Sequence, residues 1–176
     1  MADENGGFGA GLPEDNGFNN DLPQVGIISQ YVKDLSFENP NAPAVYQWQG
    51  QPGIDVQFNI GASVVGEGIH EVVLQITVTA TLQEQQQTAF AVDLLYAGLL
   101  ALRNVPDEQL QPFLLAEAPR LLFPFARRVL ADAVRDGGFP PLMLDPIDFA
   151  SLYMQRAAQA QAQGSGMQAG EITGQA

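Results

Sequence analysis

The chain has no cysteine, a single histidine (His70) and only seven Lys+Arg residues against twenty Asp+Glu in 176 residues. The lack of cysteine removes disulfides, thiolate metal sites and cysteine nucleophiles. One histidine cannot build a multi-histidine metal cluster. A formal net charge of −13 repels phosphate, so nucleic-acid binding would demand a strong local basic patch. Long apolar runs are missing too. The longest, Leu94 to Leu102, is interrupted by glycine and falls far short of the ~20 residues that span a bilayer. The opening MADENGGFGAGLPEDNG has neither the basic nor the apolar region of a secretory signal, so a cytoplasmic location without membrane insertion is expected. These absences favour a binding protein over an enzyme.

What is present is a globular composition, 46% hydrophobic and 15% charged, in a chain long enough for one domain with a real core. Residues 1–25, rich in Gly, Asn and acids, read as a solvated tail. Residues 157–176 read the same way, with at most a brief continuation of a preceding helix. The folded domain is therefore expected at 26–156. Gly7 and Gly9 in GGFGAG suggest a phosphate loop only superficially, because no strand precedes them and no helix follows.

Within the domain a strand half precedes a helix half. Ile54, Val56, Phe58 and Ile60 alternate with polar residues, as a half-wet strand does. In the run 69–82, Val72, Leu74, Ile76, Val78, Ala80 and Leu82 share one face. In 88–100, Phe90, Val92, Leu94 and Tyr96 do the same, which predicts a long hairpin across the polar turn 83–87. A strand near 28–37 completes a four-stranded antiparallel sheet. Pro106 followed by Asp107 and Glu108 is a helix-start signal. From 114 to 134, Leu115, Ala118, Leu122, Phe125, Val129 and Ala133 recur at helical spacing. Pro119 and Pro124 predict a break or kink there. Gly137-Gly138 ends that helix, and a second one starts near Asp145 or Asp148. The fold class is α+β, with helices packed on one side of the sheet.

Charge is unevenly placed. Between Lys33 and Arg103 there is no Lys or Arg, while Asp34, Glu38, Asp55, Glu67, Glu71, Glu84 and Asp93 fall in that stretch. Solubility alone could account for this; the sharper expectation is steering of a cationic partner to the outer sheet face. The strand 88–100 is apolar on both faces apart from Asp93, and the helices of one chain look too few to cover both. The surplus is expected in an oligomer interface or a binding groove.

No catalytic constellation emerges, so no catalytic residue, cofactor or metal is expected. His70 lies on the apolar side of its strand without a Ser-centred motif, and reads as structural. Asp132 is four residues after Arg128, the spacing of a local ion pair. Asp145 and Asp148 suit helix capping. Trp48 sits in a Gln/Gly/Pro-rich loop, YQWQGQPG, which suits a groove where one edge stays wet. Phe37, Phe90, Phe139, Phe149 and Tyr153 could line such a cleft, although core packing is the commoner role for aromatics.

The stretches YVKDLSFENPNAP (31–43), HEVVLQITVTATL (70–82) and LLFPFARRVLADAVRDGGFPPLMLDPIDFASLYMQ (121–155) resemble the bacterial protein-export chaperone family SecB over residues 27–156. The resemblance implies an ATP-independent holdase for unfolded precursor proteins, assembled as a homotetramer (a dimer of dimers), that delivers them to the motor ATPase SecA. It places SecA docking at Asp34, Glu38, Ala91 and Asp93, where Ala91 replaces a commonly larger apolar residue. It places a client groove at Trp48, Phe90, Leu142 and Tyr153. Two alternatives stay open: a related chaperone dedicated to a toxin–antitoxin pair, and a small enzyme or ligand carrier using the aromatic cleft.

Overall fold

In the computed structural model, residues 21–84 and 86–166 are described; the GGFGAG segment and the rest of 1–20, and residues 167–176, lie outside them. Four strands, β1 (Gln24–Glu38), β2 (Gly53–Gly66), β3 (Ile69–Leu82) and β4 (Gln87–Arg103), form one antiparallel sheet. The order is β1-β4-β3-β2, so β1 crosses to the far edge rather than pairing with β2. The crossover is the loop 39–52, which contains a single 3-10 turn, Ala44–Gln47.

The β3–β4 hairpin forms as the alternation predicts, with Ile76 opposite Leu94 and Val78 opposite Val92. Val72, Leu74, Ile76 and Val78 are fully buried, and with Val92 and Leu94 they form the sheet's contribution to the core. This face is covered by helices; the other carries Gln75, Thr77, Thr79 and Asp93 and, among the described residues, has no helix over it.

After β4 a helical run returns along the sheet: α1 (Asp107–Pro112), a wide π-type turn (Phe113–Glu117) and α2 (Ala118–Asp136). Of the expected break or kink at Pro119 and Pro124, no break occurs, because α2 is continuous from Ala118 to Asp136 with Pro124 inside it. Pro119 follows directly on the wide turn, and the irregularity falls there, just before the residue that has no N–H to give. The buried stripe also differs from the expected one. Ala118, Leu122, Ala126, Leu130 and Val134 face the sheet, whereas Phe125 and Leu121 are exposed. Alpha2 is apolar on two sides, so periodicity alone could not choose between them.

The connector 137–148 leads to α3 (Phe149–Gly166). Asp148 caps this helix, accepting bonds from the Ser151 N–H (3.0 Å) and Oγ (2.7 Å), which hold its carboxyl below the usual range. Alpha3 continues past residue 156 to Gly166, farther than the short extension expected. The Ala/Gln run 157–163 has good helix formers and no Gly or Pro. Among the described residues, no helix is long and apolar enough to cross a membrane.

Candidate functional site

On the open sheet face the strand register decides which acids meet. Asp34 lies opposite Leu95, Ser36 opposite Asp93, and Glu38 opposite Ala91. Directly opposed residues share a face, so Asp34, Glu38, Ala91 and Asp93 are gathered on the β1–β4 surface. An irregularity between Val32 and Asp34 contributes to this, since an extra residue in one strand switches the side on which its neighbours emerge. The Asp93 carboxylate is half-buried and fixed: Gln75 Nε2 donates to both its oxygens (3.0 and 3.2 Å) and Thr77 Oγ1 to one (3.3 Å). Asp34 and Glu38 are exposed. The neighbouring register row continues Glu38, Ala91, Thr79, Asp55 across all four strands.

The one base of this half does not stand among those acids. Lys33 Nζ is 2.7 Å from Glu71 Oε2, and Tyr31 Oη donates to Glu71 Oε1 at 2.6 Å. Lys33 and then Tyr31 hold the Glu71 carboxyl below its ordinary value. The same carboxylate, as hydrogen-bond acceptor, pushes the Tyr31 phenol up to about 12. Glu71 is thereby neutralised, and the anionic character of the face lies with Asp34, Glu38, Asp55 and Asp93.

The expected groove residues lie on the helix side, and the structure does not bring them all together. Trp48 lines a cavity of about 370 Å³ at the hairpin end of the sheet, with Val45, Tyr46, Leu82, Ala89 and Phe139. Phe90 is 3% exposed and packs behind that wall, its ring 4.8 Å from Phe139 and 6.0 Å from Phe37. Leu142 is half-buried against the core. Tyr153 is far along the sheet. It lines a cavity of about 480 Å³ with Pro23, Val25, Val105, Phe113 and Met154, and another of about 320 Å³ with Ile60, Leu152 and Arg156.

Residues that the sequence reading missed are Tyr46 at the first cavity and Pro23, Val25 and Phe113 at the second. Pro23 and Val25 were assigned to the tail, although the apolar residues of LPQVGII mark the start of β1. Of the aromatics, Phe149 is 2% exposed and packs edge-on to Phe58 and Phe123, a core role. His70 is buried on the same face as Val72, also a structural position. Arg128 and Asp132 form the expected ion pair (3.6 Å), which Arg135 joins at 3.1 Å.

A family model described as preprotein translocase subunit SecB matches residues 19–160. The chain is 64% identical over 151 residues to the protein-export protein SecB of Sphingopyxis alaskensis, covering 85% of this chain and 87% of that protein. It is 63% identical over 150 residues to that of Rhizorhabdus wittichii, covering 85% and 89%, and 63% identical over 138 residues to that of Zymomonas mobilis, covering 78% and 83%. Among solved structures, the SecB-like chaperone of Mycobacterium tuberculosis, in complex with a ChAD peptide from an antitoxin, has the same fold. The TM-score is 0.58 at 17% identity, over 70% of this chain and 90% of that one.

Proposed function

The chain belongs to the SecB protein-export family, and from that membership we propose that it is an ATP-independent cytoplasmic holdase that keeps precursor proteins unfolded and passes them to SecA. The observation that carries this reading is the division of labour between the two sides of one sheet. The helix side has open cavities lined mainly by apolar and aromatic groups. The opposite side presents Asp34, Glu38 and Asp93 on a rigid β surface.

Apolar cavities of this kind hold an extended segment through burial, with little dependence on its sequence. A folded protein keeps such segments in its own core, so slow-folding chains are captured and fast-folding ones escape. Binding and release account for the whole activity; no covalent bond is made or broken. The acids on the opposite face suit a cationic element of SecA, attracted over distances of about a Debye length, roughly 8 Å at physiological salt.

Assembly as a homotetramer, a dimer of dimers, is supported by apolar surface that one chain leaves open. Val25, Ile27, Ile28, Val32 and Leu35 on the edge strand β1 are each more than 40% exposed, and Phe125 on the outer face of α2 is 51% exposed. Such a stripe on a sheet edge and a helix is the surface that a second copy covers. Several weak client sites in one particle then raise effective concentration for a long unfolded chain.

The test is aggregation of a chemically unfolded precursor on dilution, followed by light scattering without nucleotide. The proposal predicts suppression that saturates near stoichiometric tetramer and is unchanged by ATP. Unaffected aggregation would contradict it. A panel of unrelated unfolded proteins in the same assay separates a general holdase from one dedicated to a single antitoxin.

A further inference from the structure

The crossover loop 39–52 carries Trp48 over the end of the sheet, and beside the buried Val45 its attachments to the rest of the molecule include specific polar ones. Tyr46 Oη donates to the carbonyl of Gly137 at 2.8 Å. Asn39 Nδ2 donates to Tyr46 Oη at 2.8 Å and approaches the same carbonyl at 3.4 Å. Asn41 Nδ2 donates to the carbonyl of Thr88 at 2.8 Å. The Gly137 carbonyl stands at the C-terminal end of α2, where the last carbonyls have no partner within the helix. The helix closes on its own backbone, Gly138 N–H to the Arg135 carbonyl (3.0 Å) and Phe139 N–H to that of Val134 (3.3 Å), and the loop takes up the next carbonyl, that of Gly137.

The surface that receives Tyr46 is made of glycine. A Cβ on Gly138, whose φ is +85°, would lie 3.0 Å from Tyr46 Cε1 and 3.1 Å from its hydroxyl. The ring also packs against Phe139, centroids 5.6 Å apart, and both line the cavity with Trp48. Yet Tyr46 remains 52% exposed. Its burial adds little to the core, which Phe37, Phe90 and Phe139 form beneath it. A half-exposed aromatic whose hydroxyl is directed to a helix end is placed to fix a loop.

We propose that Tyr46, braced by Asn39, clamps the crossover loop to the end of α2 and so holds the Trp48 cavity open for unfolded polypeptide, making Tyr46 a positioning residue for client binding. This rests on the reading of that cavity as a client site. A preformed cavity does not have to be ordered at each encounter, and apparent affinity falls with the fraction of molecules in the competent state.

Trp48 is the only tryptophan, so its fluorescence reports on the loop without added client. The experiment compares the full chain with Tyr46→Phe, which keeps the ring and deletes the hydroxyl, and with Asn39→Ala, which removes the brace. Acrylamide quenching of Trp48 reads loop order, and anisotropy of labelled, reduced and carboxymethylated α-lactalbumin reads client binding. Thermal unfolding checks that the fold is intact. The clamp predicts stronger quenching in both variants, and client affinity reduced by about three- to tenfold, the loss of one such hydrogen bond, with little change in melting temperature. Quenching unchanged in both variants would overturn the clamp. Quenching that rises while client affinity holds would leave the loop anchor standing, remove the cavity from client binding and so overturn the positioning role. If Tyr46→Phe does not fold, Asn39→Ala, which keeps the phenol bond to Gly137, decides by the same two readouts.

Discussion

Lys33 is the only lysine of the chain, and the partner it takes shapes the charge of the whole sheet face. Paired with Glu71 at 2.7 Å, it leaves Asp34, its neighbour in sequence, to the anionic surface. The scarcity of bases was legible in the sequence; the pairing was not, since it needs the register of β1 on β4 and the irregularity beside Lys33. The pairing has a pH signature. Glu71 is held below its ordinary 4.5, so its contribution to stability is present above 4.5 and is lost as pH falls through the lower folded value. Tyr31, raised from 10.0 to about 12, contributes below pH 10 and loses that contribution as pH rises through about 12. Replacing Glu71→Gln should return the Tyr31 phenol towards 10, read from its ring carbon shift in an NMR titration. The melting-temperature gap between wild type and this variant should also narrow as pH drops below 4.5. A gap that stays constant from pH 7 to pH 3 would show that the Glu71 carboxylate does not carry the interaction.

Secondary-structure elements divide sharply in how far they could be read. Beta3 and β4 were legible because one face is apolar without exception from Val72 to Leu82 and from Phe90 to Tyr96. The strand order was not, since the crossover of β1 depends on the loop 39–52 passing over the hairpin end, and no local pattern encodes it. The α2 stripe was misplaced for a different reason: Leu121 and Phe125 make the outer face apolar too, so the helix has no single apolar side for the periodicity to pick out. The contact between α2 and β4 is close at Gly98, where a Cβ would lie 2.6 Å from Leu122 Cδ2. Leu122 is fully buried and its site is walled by the sheet. Leu122→Ala should therefore cost about 2–5 kcal/mol of stability, and Gly98→Ala about 1–3 kcal/mol through overpacking. Denaturant unfolding of both variants checks this. A neutral Gly98→Ala would mean that α2 moves away from β4 at no cost.

At the scale of the whole molecule, the open sheet face and the helix-side cavities lie on opposite sides of the four strands. The acids proposed for docking come from the resemblance, and the register gathers them on one face. Of the residues proposed for the groove, Trp48 and Tyr153 line separate cavities, and the distance between them follows from strand length and crossover. The two sides differ in physical character, and so in their response to salt. Raising ionic strength from about 0.05 to 0.5 M should weaken SecA binding strongly, because exposed charges are screened, while apolar client binding stays level or strengthens. Isothermal titration with each partner across that range checks it, and parallel losses would place client and motor on one surface. The most direct measurement of the proposed division is charge reversal on the open face alone. The double variant Asp34→Lys, Asp93→Lys is titrated with SecA and, separately, with an unfolded precursor. The account predicts that SecA binding is abolished and precursor binding is unchanged. Loss of both together would contradict it.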